Sequence, residues 1–229
     1  MSRETEFLDA VRRGDLPTVG TFLDADPELA GTRDENGTRA IVLALRRRQD
    51  SVAWLLAERR ESPDVFECAS IGFLDGLERA IADDPAAVHR PSPDGGTALG
   101  LAAEFGELEA ARILLSAGAD PDRAGADGLA PIHLALAGGH VSVARALLAH
   151  GADPNRAAAN GWTPLHYAAD LGDAEIALEL VEAGARPGAK NDDGFDALEW
   201  GHEVGHGHVS ERVSEAVRAA KTDAGTLGP

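Results

Sequence analysis

The chain has 229 residues, 44% of them hydrophobic but only ten aromatic (six Phe, three Trp, one Tyr), and a formal net charge of −18. That length and apolar content can bury the core of one large domain or two small ones, and the scarcity of rings leaves Leu, Val, Ile and Ala to fill it, which suits closely packed helices. The charge argues against a nucleic-acid partner, which needs a basic stripe; no apolar run approaches the ~18 residues of a membrane span, no basic-then-apolar leader opens the chain, and the lone Cys68 excludes an internal disulfide or a cysteine zinc cluster. The longest basic run, Arg46-Arg47-Arg48, is short and reads as a solvated helix end. These features predict a soluble, cytoplasmic protein, and 19 arginines against two lysines point to a GC-rich, bacterial source.

In chain order, one pattern returns. It begins as "TEFLDAVRRGDLPTVGTFLDAD" from Thr5, then "GTRAIVLALRRRQDSVAWLLAE" with Thr38, then "PDVFECASIGFLDGLERAIADDP" from Pro63. "GGTALGLAAEFGELEAARILLSAGADP", "GLAPIHLALAGGHVSVARALLAHGADP" and "GWTPLHYAADLGDAEIALELVEAGARP" follow, anchored at Thr97, Ala130 and Thr163, and "FDALEWGHEVGHGHVSERV" is a degraded copy anchored at Asp196. The steps are 33, 25, 34, 33, 33 and 33 residues, so only the second unit is short, having lost about eight residues after Glu58.

Local rules give each unit its shape. Thr163 is placed to cap a helix and Pro164 to occupy its first turn, where the missing N–H costs nothing. Gly172 permits a tight left-handed turn, and a second helix follows with Ile176, Leu180 and Val181 on one stripe. "EAGARP" ends it with Gly and Pro, and a polar turn leads to the next cap. No unit has enough core to fold alone, so neighbours must stack into a solenoid. The prediction is an all-α fold of about seven helix-turn-helix units with short β-hairpin-like turns, spanning residues 1–218, with the last unit a C-terminal cap and 219–229 a flexible tail.

"NGWTPLHYAADLGDAEIALELVEAGARP" and "DGLAPIHLALAGGHVSVARALLAHGADPN" resemble ankyrin repeats, marked by TPLH, a Gly-His turn and GAD-x-N. Departures are local: "TALG" and "APIH" stand for TPLH, "TRAI" lacks the Pro, and "VFEC" lacks both ends. The resemblance implies that His133 and His166 make a turn-fixing hydrogen bond rather than do chemistry.

Other motifs compete with this frame. His202, Glu203 and His206 spell HExxH, which in zinc peptidases supplies two metal ligands and a general base from one unbroken helix. Gly205 lies 33 residues after Gly172, so it falls in an inter-helix turn, and the helix ends between the two histidines. Positions 209 and 212, which an extended zincin would fill with Gly and His, hold Val209 and Arg212. A calcium loop over Asp24–Glu35 fails because Leu29 stands where Gly is needed; "DADPEL" recurs as "ADDPAAV" and is instead a helix ending. Cys68 replaces the first Ala of the units' Ala-Ala pair, predicting a small buried residue. Tyr167 and Trp200 fall where other copies have Leu101 and Leu134, predicting core packing.

The family resemblance implies recognition by a concave strip made of the residue before each anchor and those seven and eight after it. Here these include Gly37, Gly96, Leu129, Trp162 and Phe195, with Leu45, Arg46, Glu104, Phe105, Asp170, Leu171, Glu203 and Val204; Asp94, Asp127, Asp192 and Asp193 sit on adjoining tips. The expected partner-binding residues are Glu104, Phe105, Asp127, Leu129, Trp162, Asp170, Leu171 and Phe195, although Trp162 and Phe195 fit hairpin packing equally well. The reading is a monomeric, non-catalytic protein-interaction module with no cofactor or metal, binding another protein with a basic and apolar epitope. The alternatives are an enzyme inhibitor or immunity-type binder, and a zinc hydrolase using HEVGH.

Overall fold

A computed structural model describes residues 2–225 of the chain, with side chains described for residues 2–219. Among the described residues there are fourteen α-helices and no strand, divided between two units, Met1–Ala119 and Asp120–Pro229. No helix among them is long and apolar enough to cross a membrane.

The first unit holds four helix pairs: α1 (Arg3–Arg13) with α2 (Leu16–Ala25), α3 (Ala40–Arg46) with α4 (Asp50–Glu58), α5 (Val65–Ile71) with α6 (Leu74–Asp83), and α7 (Ala98–Phe105) with α8 (Leu108–Ser116). Pro27–Gly31 and Pro85–His89 form matching 3₁₀ turns after α2 and α6, so the acidic "DADPEL" segment is a helix exit. The first helices stack in order, α1 on α3, α3 on α5 and α5 on α7. The core between the rows is aliphatic, with Leu23, Ile41, Leu56, Leu77, Leu99 and Leu114 at most 2% exposed. Each such side chain is worth about 1.5–3 kcal/mol on burial. Small residues let the backbones approach, Ala102 and Ala103 being fully buried. Cys68 is fully buried too, and burial with Glu67 and Asp64 nearby pushes its thiol up to about 12, which leaves it inert.

The second unit holds three pairs: α9 (Pro131–Ala137) with α10 (Val141–Ala149), α11 (Pro164–Leu171) with α12 (Ala174–Glu182), and α13 (Ala197–Glu203) with α14 (Gly207–Gly225). α11 packs on both α9 and α13, and α12 on both α10 and α14. The helix α14 reaches into the segment 219–229 expected as a tail, and residues 226–229 lie outside the described ones.

Short hairpin turns precede the caps. Their closing bonds run from the N–H of Gly125 to the Leu129 carbonyl (3.0 Å), from Ala158 to Trp162 (2.8 Å) and from Asn191 to Phe195 (2.9 Å). In the first unit Asp34 bonds Thr38 (2.9 Å) and Ser92 bonds Gly96 (2.7 Å). Isolated β-bridges mark two of these turns, Arg33 with Arg39 and Lys190 with Asp196. The buried histidines lock helix to turn. His166 Nε2–H donates to the Phe195 carbonyl (3.1 Å), which fixes the neutral tautomer, so Nδ1 accepts from both the N–H (3.2 Å) and the hydroxyl (2.9 Å) of Thr163. Thr163 therefore caps α11 through the histidine rather than by accepting a backbone N–H, whereas the Thr97 hydroxyl does accept, from Gly100 N–H at 2.9 Å. His133 repeats the arrangement, donating to the Arg156 carbonyl (2.8 Å) and accepting from Ala130 N–H (3.0 Å).

In three units the helix cap does not coincide with the repeat anchor: Ser2 caps α1, three residues before Thr5, Arg39 precedes α3, one after Thr38, and Asp64 caps α5, one after Pro63. Where the shortened second unit lacks a hairpin, an ionic cluster replaces the histidine lock. Arg39, 2% exposed, donates to Asp64 Oδ2 through Nε (2.9 Å) and stacks over the Phe66 ring at 4.5 Å. Asp64 Oδ1 in turn accepts the N–H of Phe66 and of Glu67, each at 3.0 Å, while buried Glu67 takes Arg60 at 3.2 Å. Charged partners of this kind contribute roughly 1.5–3 kcal/mol each and leave an expensive orphan when one is removed.

Candidate functional site

The HExxH stretch is divided by a turn. α13 ends at Glu203, Gly205 takes φ +87°, and His206 lies beyond it. The His206 ring covers Gly172 and donates from Nδ1 to the Ala169 carbonyl (3.0 Å), while His208 Nε2 donates to the Gly172 carbonyl (3.1 Å). His202 stays on α13, exposed. Two histidines on opposite sides of a helix end do not present the one-face geometry a zinc peptidase needs. Among the described residues no group of three or more His, Cys, Asp or Glu is placed to hold a metal ion.

In the second unit the hairpin tips and the ends of the first helices bring aromatic side chains into edge contact. Trp162 lies 5.1 Å from Tyr167 and 5.1 Å from Trp200, at 64° and 65°, and Trp200 meets Phe195 at 6.0 Å. Tyr167 continues the row to His133 at 5.4 Å. Such edge-to-face pairs are worth about 0.5–1.5 kcal/mol beyond their burial. The four large rings are half-buried, so each packs on its neighbours and still offers part of its surface to solvent.

Tyr167 and Trp200 were expected inside the core. They pack on other rings at its margin instead, and the position is marginal in this unit even without a ring, since Leu134 there is also half-buried. Their omission from the expected binding residues followed from that expectation, and the signal that would have found them is the 33-residue spacing that puts Tyr167 and Trp200 beside Trp162 and Phe195.

Carboxylates border the row. Trp200 Nε1–H donates to Asp170 Oδ1 at 3.0 Å, and the phenol of Tyr167 is held above its ordinary value by burial and by the charges of Asp127 and Asp170. Asp127 is exposed and accepts from Leu129 N–H at 3.0 Å. Leu171, 39% exposed, stands beside Gly139. The structure thus gathers Asp127, Trp162, Asp170 and Phe195 around Tyr167 and Trp200, with half-buried Leu129 on the Asp127 tip.

Glu104 and Phe105, expected in the same strip, belong to the first unit. Glu104 is not a free rim carboxylate, because Arg46 grips it through Nε (2.7 Å) and Nη2 (2.9 Å). Phe105 is half-buried and lines a cavity of about 270 Å³ with Leu45, Ala53, Trp54, Ile71 and Glu107. Trp54, 66% exposed, escaped the sequence reading. It stands six residues after the inter-helix turn, where the corresponding positions of α8 and α10 carry exposed Arg112 and Arg145, so the register does identify it as a solvent-facing indole.

Stacked helix pairs joined by hairpin tips, with side chains displayed on those tips, define a repeat module. A family profile described as "Ankyrin repeats (3 copies)" matches residues 7–125, 65–158 and 99–191, and the chain belongs to the ankyrin-repeat family. No curated protein matches it. Ankyrin repeats generally mediate protein–protein interactions and are typically non-catalytic.

Proposed function

We propose that the chain binds another protein through the aromatic row of its second unit, Trp162, Tyr167, Phe195 and Trp200, with Leu171 at its edge. The half-burial of these rings carries the reading: four contiguous, partly exposed aromatics supply the desolvatable anchors that dominate interface energetics. Asp127, Asp170, Asp192 and Asp193 on the neighbouring tips and helix end favour a partner with a basic rim around an apolar patch. Glu104 contributes little charge to such recognition, since Arg46 neutralises it.

The test is affinity capture from native lysate with wild type and a Trp162→Ala, Leu171→Ala variant, both checked by far-UV circular dichroism melting. A partner retained by wild type should be lost at least tenfold by the variant, since hot-spot truncations cost about 2 kcal/mol or more. Equal retention by the two proteins moves the docking surface away from the aromatic row.

A further inference from the structure

The second row of helices in the first unit is interrupted. α2 packs on α4, and α6 on α8, but α4 makes no comparable packing with α6. The missing hairpin after Glu58 accounts for the break, since the chain passes from α4 to α5 in six residues, 59–64, with no tip to carry α6 against α4. Trp54 on α4 is left exposed and Ala57 half-buried, with buried Ala53 beneath them. With Leu45, Ile71 and Phe105, the ends of three successive first helices, they frame the cavity of about 270 Å³.

Its walls have a defined chemistry. Trp54 and Phe105 offer aromatic surface, Leu45, Ile71 and the alanines offer alkyl surface, and Asp50 and Glu107 are the two charged groups lining it. Neither carboxylate has a Lys or Arg partner among the described residues, in contrast to Glu104 three residues away, which Arg46 clamps. Glu107 is half-buried against Gly72, and loss of hydration holds its carboxyl above the ordinary value.

We propose that this cavity receives a single lysine side chain from an apolar-flanked segment of a partner protein, the alkyl stem lying along Leu45 and Ile71 and the ammonium between Trp54, Asp50 and Glu107. A ring face and unpaired carboxylates attract a cation together, and the site's volume suits one long side chain rather than a drug-sized ligand. Exposed Arg47 and Arg48 on the adjoining turn repel a basic run, so a lone lysine among apolar residues is favoured. This site is separate from the aromatic row and stands or falls without it.

The full-length chain labelled with ¹⁵N at tryptophan reports each indole separately, and Trp54→Phe assigns the Trp54 signal. n-Butylammonium, the lysine side chain alone, should shift the Trp54 signal saturably in the millimolar range and leave those of Trp162 and Trp200 in place. Neutral 1-pentanol should bind at least fivefold more weakly, as should n-butylammonium to an Asp50→Asn, Glu107→Gln variant whose Trp162 and Trp200 signals show it folded. Equal binding of 1-pentanol would mean a merely apolar cavity, and either no saturable shift or undiminished binding to the variant would equally overturn the proposal.

Discussion

Arg48 has φ +56°, the one left-handed non-glycine backbone among the described residues. Six other inter-helix turns place glycine there: Gly14, Gly72, Gly106, Gly139, Gly172 and Gly205. A Cβ in that conformation crowds its own backbone by about 1–2 kcal/mol, while glycine adds roughly 0.5–1 kcal/mol of unfolded-state entropy. Relief exceeds the entropy cost at this position, because the Arg48 side chain is exposed and has no packing to lose. Arg48→Gly should therefore stabilise the protein by about 0.5–1 kcal/mol, read as a higher urea midpoint with an unchanged m-value. A midpoint at or below wild type would mean that the arginine head contributes more than the strain removes.

Arg48 lies nine residues after Arg39, as Gly172 does after Thr163, so the second unit is offset by one residue from the Thr38 frame. Matching on Thr38 looks right because other caps are threonines, yet the hairpin bond from Asp34 to Thr38 makes Arg39 the equivalent of Thr163. A guanidinium buried against Asp64 does there what a histidine does elsewhere, and no pattern of residue letters announces that exchange.

At the scale of the element, the regular units were legible because each of their rules is local: a cap, a Pro in the first turn, a glycine in the inter-helix turn and a stripe of aliphatics. Pairing between chain segments was not. Nothing in "RRRQD" shows that Arg46 will reach Glu104 across 58 residues, and that bond removes a carboxylate from the expected recognition strip. The aromatic row is half legible, since position identifies Trp162 and Phe195, while Tyr167 and Trp200 share a repeat position whose burial varies from Leu101, buried, to Leu134, half-buried.

The histidine locks make these elements sensitive to acid. Burial disfavours the imidazolium of His133 and His166, lowering both below the ordinary value of 6.5. Between that lowered folded value and 6.5, the unfolded chain binds protons that the folded chain does not. The stability these residues provide is therefore complete above about pH 6.5 and is lost as pH falls through the window below it. Protonation also removes the Nδ1 acceptor that Ala130 and Thr163 use. Urea midpoints measured from about pH 7.5 to about pH 5 should fall more steeply for wild type than for a His133→Gln, His166→Gln double variant, which keeps a donor and an acceptor but does not titrate. Parallel profiles would remove these two histidines as the source of acid sensitivity.

For the whole molecule the charge balance decides the response to salt. With 39 acidic residues and 21 basic ones, 18 carboxylates would lack a basic partner even if every Lys and Arg were paired. Many ion pairs among the described residues are exposed on both sides, such as Arg145 with Glu179 and Arg112 with Glu109, and pairs of that kind contribute about 0–1 kcal/mol each. Salt weakens these pairs, but it also screens the repulsion among the unpaired carboxylates, and the excess of one sign makes repulsion the larger effect. The pair of Arg39 with Asp64 is weakened less, since the guanidinium is buried. Raising NaCl from about 20 mM to about 300 mM at neutral pH shortens the Debye length from roughly 20 Å to roughly 6 Å. Calorimetry should then show Tm rising by about 2–4 °C, the shift that roughly 1 kcal/mol produces in a chain of this length. A falling Tm would give the ion pairs the larger share of the electrostatic energy. The same repulsive field, screened over the same range, is what would draw a basic-rimmed partner to the second unit, so its association rate should fall with salt while the folded protein becomes more stable.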